Sequence, residues 1–86
     1  MPSRPDPADD KGKGLDAQQL FASRLRAWRM EQGWSQRQVS LETGLTEQTV
    51  FNWEQGRSLP SYDALKKLVE ASHISADWWL GLTDDR

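Results

Sequence analysis

The sequence predicts an all-α fold of five short helices, and three features point to it. Residues suited to an inner face recur at the helical period of 3.6, first at Phe21, Leu25 and Trp28, then at Val39 and Thr43, then at Val50 and Trp53. A hydroxyl residue suited to accept hydrogen bonds from a helix start stands before each later stretch, at Ser35, Thr46, Ser61 and Ser75. Glycines that tolerate positive φ follow several of them, at Gly33, Gly44, Gly56 and Gly81. The 86 residues are enough for one small domain.

The chain opens with Pro2, Pro5 and Pro7 among Ser, Asp, Lys and Gly, and has almost no apolar side chain before Leu15. Such a stretch cannot bury enough surface to offset its ordering entropy, so at least residues 1–14 are expected to be disordered. The domain division that follows is a leader over 1–15, a helical domain over 16–83 and a short tail over 84–86. The leader's mixed charges suit a solubilising segment better than an arm that touches nucleic acid. The first helix is expected to begin near Asp16, a possible N-cap, and to end at Gln32 before Gly33. Its buried stripe is Phe21, Leu25 and Trp28, with Arg24, Arg26 and Arg29 mostly off it.

Trp34 then drops toward the core and Ser35 caps a second helix over residues 36–43, which Gly44 stops. Thr46 caps a third over 47–55, with Glu47 and Gln48 in its first turn. The turn between them is too short for antiparallel stacking, so the two helices should cross at a wide angle with Leu45 at the corner and small Ser40 at their closest approach. That arrangement is a helix-turn-helix. Val39, Leu45, Val50 and Trp53 share the inner face; Gln36, Glu47, Gln48, Phe51 and Asn52 stay outside.

Gln48 and Asn52, four residues apart, have the size and the hydrogen-bonding ends needed to enter a DNA major groove. A helical hairpin with an ordinary solvated polar face is the competing reading. Gln48 can pair bidentately with adenine N6 and N7, and Asn52 can do the same or reach a phosphate. Glu47 can accept from cytosine N4 and repels wrong sequences. Phe51 can cover a thymine methyl, or equally meet a partner domain or fold over the helix surface. Thr49 is within reach of base or phosphate. Gln36 lies where the unpaired N–H groups of a helix start attract a phosphate, and Arg37 beside it is either a charge contact or a solvated side chain.

Gly56 turns the chain after the third helix, Leu59 and Pro60 close that turn, and Ser61 caps a fourth helix through about Ser72. Asp63 suits its first turn, and Tyr62, Leu65, Leu68 and Val69 are its expected inner face. Ile74 leads into a last helix from Ser75 to Leu80, ended by Gly81. Trp78 and Trp79 are neighbours, so Trp78 is assigned to the core and Trp79 to the opposite side. With Leu82, Trp79 forms the expected two-fold interface. His73 has no Cys or second His at ligand spacing and reads as a helix-end residue.

From Phe21 to Thr83 the chain resembles the small helical DNA-binding domain of the phage lambda repressor and Cro group, the XRE family. The matching segments are R-L-R-x-x-R at Arg24, G-W-S-Q at Gly33, T-G-L-T at Thr43, N-W-E-Q-G-R at Asn52, L-P-S at Leu59 and S-A-D-W-W-L-G-L-T-D at Ser75. Ser40 departs from the family's usual Ala, His73 stands where a Gly often ends the fourth helix, and Phe51 is a large apolar residue on a face more often polar. The resemblance implies that Gln36 touches the DNA backbone and supports the first base-reading residue. It also implies that Arg57 grips phosphate, that a helix-one arginine such as Arg24 adds a phosphate contact, and that two copies pair through the last helix.

Eleven Lys and Arg against thirteen Asp and Glu give a net charge of -2, and residues 20–82 carry as many acidic as basic side chains. Non-specific affinity for nucleic acid should therefore be weak and salt-sensitive. There is no cysteine for disulfide or thiolate chemistry. No apolar run approaches the roughly 20 residues that span a bilayer, and no signal-type segment follows the charged start, so a cytoplasmic location is expected. No nucleophile–base pair, Gly-rich phosphate loop or metal-ligand spacing is present, and Asp84 and Asp85 form an exposed tail; no enzyme, cofactor or metal is expected. The expected function is a sequence-specific double-stranded DNA-binding regulator, acting by operator occupancy as a homodimer on a palindrome, with no effector domain for a small molecule. The alternative is a protein-interaction module or antitoxin-type partner on the same fold, with Phe51 and Trp79 as anchors.

Overall fold

The computed structural model describes the backbone of residues 7–86 and the side chains of residues 17–86. Among these the chain forms α1 (Pro7–Gln32), α2 (Gln36–Thr43), α3 (Glu47–Glu54), α4 (Tyr62–Ser72) and α5 (Ala76–Leu80). The fold is all-α, as the periodicity and capping residues predict.

Local hydrogen bonds explain most of the boundaries. The hydroxyls of Ser35, Thr46, Ser61 and Ser75 accept from the backbone N–H three residues on, that of Gln38, Thr49, Ala64 and Trp78 respectively. Gly44 stops α2 at φ 78°, a left-handed conformation that costs a residue with a Cβ roughly 1–2 kcal/mol. His73 takes the same role at the end of α4 at φ 59°, with its N–H donating to the Val69 carbonyl at 2.8 Å.

α1 starts earlier than expected. Residues 7–14, assigned to a disordered leader, are helical, and Asp16 lies inside α1 instead of capping it; the rest of that leader, 1–6, lies outside the described residues. Pro7 suits a first helical position, because it has no N–H to leave unbonded and its φ is already near the helical value. Once the stripe at Phe21, Leu25 and Trp28 is docked, each further residue adds a hydrogen bond without a new nucleation cost.

The core takes Phe21, Leu25 and Trp28 from α1, Val39 from α2, Val50 and Trp53 from α3, Leu68 from α4, and Ile74, Trp78 and Trp79 from the C-terminal end. Half-buried Trp34 and Leu45 pack against it. Edge-to-face rings run from Trp53 to Phe21 (5.2 Å), Phe21 to Trp79 (6.0 Å), Trp79 to Trp28 (5.8 Å) and Trp28 to Trp34 (5.4 Å). Each such pair contributes about 0.5–1.5 kcal/mol beyond the area it buries.

Two expected placements are corrected. Trp79 is 1% exposed and stands in the middle of the aromatic chain, its indole N–H donating to the Ser72 hydroxyl at 3.3 Å. Adjacent residues on a helix point about 100° apart, but α5 packs on both α1 and α4 and so buries both indoles. Trp78 takes the outer place, its ring met by the guanidinium groups of Arg24 (4.7 Å) and Arg86 (5.1 Å). Tyr62, expected on the inner face of α4, is 79% exposed; it opens the helix ahead of the part that meets the core, where Leu68 is buried and Leu65 and Val69 half-buried.

Candidate nucleic-acid interface

α3 is held against the core by one face and leaves the other open. Val50, Trp53 and Glu54 are buried, whereas Glu47, Gln48 and Phe51 are exposed and Thr49 and Asn52 half-buried. α2 braces it from behind: the Ser40 hydroxyl donates to the Leu45 carbonyl, and the buried Thr43 hydroxyl donates to the Val39 carbonyl (2.7 Å) and accepts from the Leu45 N–H (3.3 Å). Both backbone polar groups of Leu45 in the turn are therefore bonded to α2 itself.

The inner anchor is an ion pair between half-buried Arg29 and buried Glu54. Arg29 donates from Nε to one Glu54 oxygen at 2.6 Å and from Nη2 to the other at 3.1 Å, and its remaining nitrogen donates to the Trp34 carbonyl at 3.0 Å. Gln36 donates to Glu54 at 3.0 Å, and Arg26 to the Glu54 carbonyl at 3.1 Å. A carboxylate with 3% side-chain exposure needs such partners, since an unpaired buried charge costs several kcal/mol. Glu54 thus ties together α1, the start of α2 and the last turn of α3. Arg29, expected mostly off the buried stripe, and Glu54 both turn inward. Each follows a core residue by four, Arg29 after Leu25 and Glu54 after Val50, and that spacing places both on inner faces.

The open face carries a chain of polar contacts. Gln48 Nε2 donates to Asn52 Oδ1 at 3.1 Å, and Arg57 Nη1 reaches the same oxygen at 3.4 Å. The Arg57 guanidinium also lies 5.4 Å from the centre of the Phe51 ring. Gly56, at φ 73°, makes the turn that returns Arg57 to α3, and the Arg57 N–H donates to the Asn52 carbonyl at 3.0 Å. The four side chains Gln48, Phe51, Asn52 and Arg57 therefore form one surface, with Glu47 at its edge in the first turn of α3.

The remaining expected contacts fall at varied places. Thr49 Oγ1 turns back to Thr46 Oγ1 at 2.8 Å, at the cap of α3. Arg37 is exposed in the first turn of α2, beside half-buried Gln36. Gln36, expected on the outside, donates its amide to Glu54 instead, adding a third donor to the buried carboxylate. Arg24 lies apart from this group. Its guanidinium donates to the carbonyls of Trp78 and Thr83, pairs with Asp84 at 2.9 Å and covers Trp78, so it clasps the C-terminal segment to α1 and is not presented to a phosphate. Arg86 completes that clasp by pairing with Glu31 at 2.9 Å. Trp79 is buried, as above, and cannot line an interface; Leu82 is 72% exposed.

Among the described residues no group of acidic and histidine side chains is arranged to hold a metal ion, and no helix is long and apolar enough to cross a membrane.

A family model described as helix-turn-helix matches residues 25–79. No curated relative matches the chain. Among solved structures, the chain is similar to a hypothetical transcription factor, NHTF, from Neisseria, with 25% identity and a TM-score of 0.69 over 93% of this chain and 85% of that one.

Proposed function

The chain belongs to the helix-turn-helix family, and from that premise we propose that it is a sequence-specific transcriptional regulator that lays α3 in the major groove of double-stranded DNA and acts by occupying an operator. The fold is a DNA-binding, regulatory and non-catalytic one. The observation that carries the finer reading is the joined surface of Gln48, Phe51, Asn52 and Arg57, mounted on a helix whose other face is locked by Glu54 and Arg29. A rigid helix bearing carboxamide ends is what discrimination of base edges requires.

In this reading Glu47, Gln48, Phe51 and Asn52 face the bases, while Gln36, Arg37, Thr49 and Arg57 lie along the backbone. The Neisseria protein of similar fold, described as a hypothetical transcription factor, supports the regulatory role. Two-fold pairing completes it: one short recognition helix on a chain of net charge -2 gains little from phosphate attraction, whereas two helices about 34–36 Å apart read a palindrome. With Trp79 in the core, the pairing surface falls to exposed Leu80 and Leu82 beside it.

Selection of sites from a random duplex library, followed by titration at several salt concentrations, tests the proposal. Enrichment of a palindrome with saturable, salt-sensitive binding is expected. No binding at low salt overturns it in favour of a protein-interaction module, for which exposed Phe51 is the available anchor.

A further inference from the structure

We infer that Arg57 and Asn52 act as positioning residues that set the orientation of the Gln48 carboxamide, so that α3 reads adenine through Gln48 while Asn52 faces the DNA with donors only. This rests on the regulator reading above and names the base that its recognition helix selects.

The chemistry fixes the orientation stepwise. A guanidinium has five N–H donors and no acceptor, so the Asn52 atom that faces Arg57 Nη1 at 3.4 Å must be its oxygen. That oxygen also faces Gln48, at 3.1 Å, and an oxygen can only accept, so the Gln48 atom there must be Nε2. With one Nε2–H engaged, Gln48 keeps a second N–H and Oε1 to present to a base. That is the donor–acceptor edge complementary to adenine N7 and N6–H. A freely turning carboxamide lacks this bias. It can present either end and pays rotamer entropy on binding.

Asn52 comes out differently. Its Oδ1 is shared between two donors, and its NH2 group has no hydrogen-bond partner among the described residues, which suits a phosphate oxygen or a purine N7 and not the two-point adenine pair open to Gln48. Arg57 is itself held in place, by its backbone N–H on the Asn52 carbonyl at 3.0 Å and by the Phe51 ring under its guanidinium. The relay from Arg57 through Asn52 to Gln48 thus starts from a charge that cannot reverse its hydrogen-bonding sense.

Two substitutions at Asn52 separate this role from direct reading. Wild-type protein and the Gln48→Ala, Asn52→Ala and Asn52→Asp variants are each used to select sites from one random duplex library, with circular dichroism confirming equal helical content. Gln48→Ala identifies the base pair that Gln48 reads, by losing about tenfold preference there. Asn52→Ala is expected to relax preference at that same base pair, because the acceptor that orients Gln48 is gone. Asn52→Asp retains acceptor oxygens toward both Gln48 and Arg57, so it should keep the adenine preference while binding every duplex more weakly. Unchanged preference at the Gln48 base pair in Asn52→Ala overturns the inference, as does equal loss there in Asn52→Asp, which would mean that the Asn52 amide reads the base itself. Selection by Gln48 of a base other than adenine also overturns it. These results leave the regulator reading standing, whereas absence of any selected site for the wild type removes both.

Discussion

Arg29 grips Glu54 through two of its guanidinium nitrogens, at 2.6 and 3.1 Å, and so fastens α1 to the last turn of α3. The carboxylate is buried and the guanidinium half-buried, with side-chain exposures of 3% and 19%, and Gln36 adds a donor from the start of α2. Arg29→Ala leaves a buried carboxylate short of its principal partner and should cost about 3–5 kcal/mol. Glu54→Gln keeps the shape and part of the hydrogen bonding, so the loss should be smaller, about 1–3 kcal/mol. Urea denaturation of both variants checks the order; equal stability of Arg29→Ala and the parent would show that the pair does not hold α3.

Base reading on the open face has its own signature. Gln48 is exposed and its side chain bonds, among the described residues, to Asn52 alone, so Gln48→Ala should leave stability almost unchanged. It should lose about 1–3 kcal/mol of discrimination at a single base pair. Competition titration of the selected operator against single-base variants measures this. An intact preference profile would remove Gln48 from the reading surface.

Arg57 carries a positive charge beside that surface, and its effect should be seen chiefly in salt dependence. Arg57→Ala should weaken binding to all duplexes and reduce the slope of log affinity against log salt by about one. A smaller relaxation at the Gln48 base pair should accompany it, because the Asn52 oxygen loses one of its donors. Parallel salt titrations of variant and parent on cognate and random duplexes separate the two effects.

Trp79 and Leu82 should now behave as opposites. Trp79→Ala removes an indole at the centre of the aromatic chain and should cost about 3–5 kcal/mol, a large part of the stability of so small a domain. Leu82→Glu alters a side chain that is 72% exposed and should change stability by no more than about 0.5 kcal/mol. If the C-terminal end pairs two copies, Leu82→Glu also shifts the mass in solution toward the monomer and weakens palindrome binding. Denaturation curves and mass measurement across protein concentration test both halves; a Trp79→Ala variant as stable as the parent would contradict its place in the core.

The sequence by itself determined the features that depend on neighbours in the chain. A cap is a hydrogen bond over three residues, which is why Ser35, Thr46, Ser61 and Ser75 could be assigned before any packing was known. Gly44 and Gly81 stop helices for an equally local reason, and the four-residue spacing of Gln48 and Asn52 was enough to place them together on one face of α3. The resemblance to phage repressors rested on the same short segments and on their order.

Only the tertiary structure decided which charges and rings lie where distant segments meet. The Arg29–Glu54 pair joins residues far apart in the chain, and Arg24 meets Asp84 across nearly the whole domain. The four-residue spacing from Leu25 aims Arg29 inward, but that a carboxylate meets it there follows only from how α3 packs on α1. Trp79 shows the same limit: its angle to Trp78 is set by the helix, but whether a second apolar surface awaits it depends on how α4 and α1 flank α5. Helical period fixes directions within an element, and burial follows from what the folded chain brings up against each direction.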